Sequence, residues 1–86
     1  MEEIIIECAG IGCAKQLHRL LAEKLEFPEW YGGNLDALYD CLTELREDTR
    51  LTLRGFDRLG DFADGFRDAF TDAAGENPHL TVRFAE

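Results

Sequence analysis

Apolar residues recur at helical spacing in three stretches and alternate with polar residues in others. The clearest helical case is Leu35, Leu38, Cys41, Leu42 and Leu45. At about 100° per residue these share one side of a cylinder. Asp36, Tyr39, Asp40 and Thr43 fall on the opposite side. Asn34, just ahead, is a good N-cap, because its side chain accepts a hydrogen bond from a first-turn N–H. The pattern predicts a helix from Asn34 to about Arg46. A second helix is predicted from Ala14 to Leu25, with Ala14, Leu17, Leu21 and Leu25 as its stripe and Leu20 widening it. His18 lies beside that stripe and reads as a structural histidine. A third helix is predicted over Asp61 to Ala74, where Phe62, Phe66, Phe70 and Ala73 face inward. Its other face carries Asp61, Asp64, Asp68 and Asp72.

Three short segments read as strands. Ile4-Ile5-Ile6, within Glu3 to Glu7, is a continuous β-branched run, which predicts a strand covered on both faces. Arg50 to Arg54 and Leu80 to Phe84 alternate, with Leu51, Leu53, Leu80, Val82 and Phe84 inward. Strands separated by helices imply a parallel sheet with right-handed crossovers, an α/β fold. Pro28 cannot continue the preceding helix. Gly32-Gly33 gives the connecting loop backbone freedom to approach a partner closely. Glu47-Asp48-Thr49 is a predicted turn. Gly55 to Gly60 has room for one helical turn, and Gly75-Glu76-Asn77-Pro78 is the expected stop for the last helix.

Length and charge narrow the function. Eighty-six residues make a single domain, 1–86. A chain of this size buries roughly 60–65% of its unfolded surface, enough for a marginal core. The formal net charge of −9 argues against direct binding of nucleic acid or an anionic membrane. It favours a basic partner drawn in by the long-range field, although solubility alone also favours an acidic surface. The acidic MEEIII start, its short apolar run and the lack of a spanning segment of roughly 20 apolar residues predict a cytoplasmic protein. Three cysteines, Cys8, Cys13 and Cys41, fit free thiols in a reducing compartment. Cys41, on the inner helix face, is expected to react slowest.

The outer face of the Asn34 helix costs stability. Aspartates at i and i+4 repel by roughly 0.2–0.5 kcal/mol, and the helix N-terminus offsets this for Asp36 more than for Asp40. A solvated acidic face is the plain explanation. The nearby Trp30, Tyr31 and Tyr39 shift the balance, because rigid aromatics anchor protein interfaces.

The stretch PEWYGGNLDALYDCLT, Pro28 to Thr43, resembles the signature of the barstar family, intracellular protein inhibitors of secreted barnase-type ribonucleases. A looser similarity runs back through QLHRLLAEKLEF, Gln16 to Phe27, and thinly through Leu51 to Leu53, Phe66 to Ala69 and Leu80 to Phe84. The resemblance implies a three-stranded parallel sheet packed with three to four helices. The segment between Phe56 and Phe66 is shorter than its counterpart in the family, so the family's short third helix is not expected intact over 55–62.

The resemblance also implies a site. The helix and preceding loop would plug the active site of a small, basic, secreted ribonuclease in a 1:1 complex with a monomer. Asp40 would stand in for the scissile phosphate, since arginine pairs with carboxylate and phosphate by the same bidentate geometry. Asp36 would contact the same cleft. Trp30 stands where the family usually has a tyrosine on the enzyme's catalytic histidine. Tyr31 and Gly32 in the loop, with Asn34, Leu35, Tyr39, Thr43 and Glu44, match positions at or near the contact. Asp68 matches an acidic residue at its edge. Tyr39 replaces a tryptophan, Gly33 an acidic residue and Asp68 a glutamate, which points to a relative of barnase as the target.

Other classes fit less well. Asp36 and Asp40 could be read as an acid–base pair, but no nucleophile or phosphate loop accompanies them, so the expectation is not an enzyme and no cofactor. Cys8, Cys13, His18 and Cys41 lack metal-ligand spacing. The rival reading is an immunity or antitoxin module against a different nuclease toxin.

Overall fold

The structure, a computed structural model, describes residues 1–85. The elements in chain order are β1 (Glu2–Glu7), α1 (Ala14–Lys24), α2 (Leu35–Thr43), β2 (Thr49–Arg54), a 3-10 turn (Phe56–Arg58), α3 (Ala63–Glu76) and β3 (Leu80–Ala85). The three strands form one parallel sheet in the order β1-β2-β3. Ile4 lies opposite Leu51, which lies opposite Val82; Ile6, Leu53 and Phe84 form the next inward row. With three α-helices, this is the α/β architecture that the pattern and the resemblance imply.

The expectation that β1 is covered on both faces is corrected. Ile6 is fully buried, whereas Ile5 is 48% exposed. On the same open face lie the exposed Glu3, Glu7, Arg50, Arg54 and Arg83. The topology explains this. Right-handed crossovers that step in the same direction across a sheet place their helices on the same face. β1→β2 and β2→β3 step the same way, so all three helices pack on one side. A run of three isoleucines carries no information about that.

The inward residues behave as their spacing predicts. Leu17, Leu21, Leu38, Leu42, Leu51, Leu53, Phe66 and Phe70 are at most 1% exposed and belong to one core. Two helix C-termini move. α2 ends at Thr43 rather than Arg46. The buried Asn77 donates through Nδ2 to the carbonyls of Leu42 (2.9 Å) and Leu45 (3.0 Å). A side chain from the far end of α3 thus supplies donors that another helical turn would otherwise supply. α3 runs through Gly75 and stops at Asn77, which is extended (φ −113°, ψ 107°). Pro78 imposes that conformation on the residue before it. The segment after β2 keeps a single 3-10 turn. Its Phe56 ring and that of Phe84 lie 4.9 Å from the Arg67 guanidinium carbon.

α2 and α3 pack directly together, and this seats the site. Gly65 of α3 makes the approach possible: a Cβ there would lie 2.6 Å from Leu35 Cδ1. The N-terminal end of α2 therefore rests against α3 through the Leu35 side chain, which lies directly over Gly65.

Candidate protein-binding site

The site begins where α1 ends. After Leu25 the chain turns through Glu26 (φ 55°) and Phe27 to Pro28. The Tyr31 N–H donates to the Pro28 carbonyl (3.0 Å), closing a tight turn. That turn sends Trp30 outward, 60% exposed, and Tyr31 inward. Tyr31 packs on Phe27 (ring centroids 4.8 Å apart), and its hydroxyl is hydrogen-bonded to His18 Nδ1 (2.5 Å). Its half-buried position makes it the peg of the loop as well as one of its aromatics. Burial pushes the Tyr31 hydroxyl pKa up and the His18 imidazole pKa down.

Gly32 and Gly33 follow, both exposed, with Gly33 at φ +66°, a conformation that favours glycine. Asn34 then caps α2 as its residue type predicts, with Oδ1 accepting from the Ala37 N–H (2.8 Å). The cap fixes the rotation of α2 and so the direction of each side chain that follows.

Asp36, Asp40 and Glu44 are exposed along the outer side of α2. Among the described residues, neither Asp36 nor Asp40 forms an ion pair or a side-chain hydrogen bond. Tyr39 and Thr43 are half-buried beside them, and the Thr43 hydroxyl donates to the Asp40 carbonyl (3.0 Å). Leu35 is 37% exposed. Asp68 is exposed one turn after Gly65 on α3, at the border with α2. Trp30, Gly32, Asn34, Leu35, Asp36, Asp40 and Glu44 are therefore open to solvent, while Tyr31, Tyr39 and Thr43 are partly withdrawn. Cys41 forms the buried side of the same helix, and burial, with Glu44 and Asp40 nearby, raises its thiol pKa.

Three contributors escape the sequence pattern. Asn77 holds the end of α2 from 32 and 35 residues away. Gly65 sets the distance between α2 and α3; a lone glycine inside a helix was its available signal. The third is a groove of about 590 Å³ between α1 and the loop, with Lys15 and Arg19 in its lining. Among the described residues, no group of three or more His, Cys, Asp or Glu side chains is placed to hold a metal ion. No helix there is long and apolar enough to cross a membrane.

An exposed, unpaired acidic helix behind a pegged aromatic loop is the arrangement that the Pro28–Thr43 resemblance implies. The family model described as "Barstar (barnase inhibitor)" matches residues 1–85. The chain belongs to the barstar family. Its similarity extends to the Bacillus subtilis (strain 168) protein named "Putative ribonuclease inhibitor YrdF", 38% identical over 81 residues. The aligned region covers 88% of this chain and 89% of that protein. Membership accounts for the whole described fold and no longer rests on one motif. It places the chain among ribonuclease inhibitors, whose partner is a protein.

Proposed function

We propose that this chain is a cytoplasmic, non-catalytic inhibitor that binds a small, basic, secreted ribonuclease of the barnase type as a 1:1 complex. α2 and the Trp30–Gly33 loop enter the enzyme's active site. Asp40 stands in for the RNA phosphate among the enzyme's cations, Asp36 contacts the same basic cleft one turn earlier, and Trp30 stacks beside them. One observation carries this reading. Asp36 and Asp40 stand exposed on one face with no partner among the described residues, at some cost to the helix that bears them. Charges left unpaired within a fold are available to a partner of opposite sign.

The test measures association and dissociation rates of Asp40→Ala, Asp36→Ala and Asp68→Ala against a panel of small microbial ribonucleases. Every variant associates somewhat more slowly at low salt, because each removes part of the steering field. Asp40→Ala mainly raises the dissociation rate, since it leaves desolvated cations unpaired. Its loss exceeds about 2 kcal/mol, the general hot-spot threshold, whose known examples include the barnase–barstar pair itself. Asp36→Ala is intermediate and Asp68→Ala smallest. Neither Asp40→Ala nor Asp68→Ala lowers the melting temperature of the free protein, because alanine is the better helix former and one repulsion is relieved. Equal losses at the three positions would refute the phosphate-mimic role. No inhibition of any ribonuclease would sink the reading, and blockade of a different nuclease toxin would put an immunity role in its place.

A further inference from the structure

The groove beside the loop carries charge of the opposite sign to α2. Ala14, His18 and Ala22 succeed one another at i, i+4 and i+8 on α1 and form its floor. The backbone of Gly32 and Gly33 forms a wall. Lys15 and Arg19, also i and i+4, stand exposed at its rim. No carboxylate lines it. The chain has 18 acidic residues against 9 Lys and Arg, so a groove lined by cations without an acid runs against its composition. Among the described residues neither Lys15 nor Arg19 pairs with a carboxylate; the ion pairs there are Arg54–Glu7 and His79–Asp48.

We propose that this groove receives an acidic segment of the ribonuclease, whose carboxylates pair with Lys15 and Arg19 while Asp36 and Asp40 occupy the enzyme's basic cleft. The inference rests on the inhibitor reading above. Its volume is within the roughly 300–1,000 Å³ typical of binding clefts. Both cations stand at an exposed rim, where a free small anion keeps most of its hydration. A carboxylate carried there by an enzyme already held on α2 loses no further translational freedom. The groove also answers a problem of selectivity. A uniformly acidic surface attracts any basic protein. A cationic patch joined to the acidic helix by a short loop admits only an enzyme with a matching acid beside its basic cleft.

The sign of one measurement separates this from diffuse attraction. Lys15→Glu/Arg19→Glu makes the inhibitor more negative, so diffuse attraction to a basic enzyme predicts faster association and tighter binding. A site for enzyme carboxylates predicts weaker binding. The probe is a catalytically inactivated barnase-type ribonuclease that the wild-type protein inhibits, with Asp40→Ala measured in parallel. The expected result is a higher dissociation rate for the double glutamate variant. Lys15→Ala/Arg19→Ala should lose roughly two- to thirty-fold in affinity, the range for two exposed pairs. The alanine pair also keeps the test valid should the glutamate pair fold poorly. Unchanged or tighter binding of both double variants, with Asp40→Ala still weakened, overturns the groove site and leaves the inhibitor reading standing. Weakening that chloride or phosphate abolishes by competition at millimolar concentration, without matching loss for Asp40→Ala, overturns it in favour of a small-anion site. Failure of the wild-type protein to bind any ribonuclease in the panel overturns both.

Discussion

Replacing Asn77 with alanine removes three hydrogen bonds at once. Nδ2 donates to the carbonyls of Leu42 and Leu45, and Oδ1 accepts from the His79 N–H at 2.9 Å. The residue is 4% exposed, so water does not simply take its place. A net hydrogen bond contributes roughly 0.5–1.5 kcal/mol, and a buried group left without a partner costs about 1–3 kcal/mol. The Leu42 carbonyl is buried and keeps a long contact from the Leu45 N–H (3.4 Å) and a share of the Glu44 N–H, which also donates to Asp40, so it counts nearly in full. The Leu45 carbonyl is only partly buried and partly recovers in water. Together these give a loss of about 2–4 kcal/mol. For a domain of this size that lowers the melting temperature by roughly 10–25 °C. Asn77→Asp sharpens the test. It keeps an acceptor for His79 but turns a carboxylate oxygen toward two carbonyls, and it should be the less stable of the two. Urea unfolding with an unchanged slope gives the difference, and amide exchange at Glu44 and Leu45 locates it. A loss under about 0.5 kcal/mol for Asn77→Ala, the range of ordinary surface substitutions, or an Asn77→Asp protein as stable as Asn77→Ala, would refute the clamp.

Two further outcomes follow from burial. The folded state holds His18 neutral with its pKa below 6.5, so the unfolded chain takes up the proton first. The stability this contributes is present above about pH 6.5 and is lost as pH falls toward the lowered folded value; His18→Gln, compared with wild type by urea melts between pH 7.5 and 5.5, should flatten the slope, and identical slopes would contradict it. Thiol labelling should be fast at the exposed Cys13 and slow at Cys41 and Cys8, with Cys8 slowest. Cys8 is 1% exposed and its pKa is raised to about 11 by burial and by Glu7, so rapid labelling of Cys8 in folded protein would overturn this.

That last order corrects the expectation that Cys41 is slowest. Cys41 sits on a visible helical stripe, whereas Cys8 follows the end of β1 and is buried by tertiary packing. The same division runs through the chain. Asn34 as a cap, Leu51 and Leu53 in β2, and Phe66 and Phe70 in α3 depend on neighbours within a turn or two, and their roles were legible. The outward set on α2 was legible for the same reason, and the Pro28–Thr43 resemblance named its members. The open face of Ile5 depends on the direction in which successive crossovers step. The early end of α2 depends on a side chain more than thirty residues away. The inward turn of Tyr31 depends on His18, thirteen residues back, whose own role as a structural histidine was visible without its partner. Periodicity reports on an element alone, and these misses lie at contacts between elements.

The way α2 is held explains how an acidic face survives at the surface. Nine residues are too few for a helix stable by itself in water, and Asp36 and Asp40 weaken it further. Contacts away from that acidic face compensate. Asn34 caps one end, the missing side chain of Gly65 lets Leu35 settle against α3, and Asn77 caps the other end from across the fold. The loop before it is pegged through Tyr31 and His18. None of these supports uses the carboxylates, so a partner meets them unpaired, on a helix whose backbone is already held in place. The two properties should therefore separate under mutation. Substitutions on the outer face of α2 change affinity and leave the fold intact, whereas substitutions at Asn77 weaken the fold and reach affinity only by loosening the helix that carries the charges.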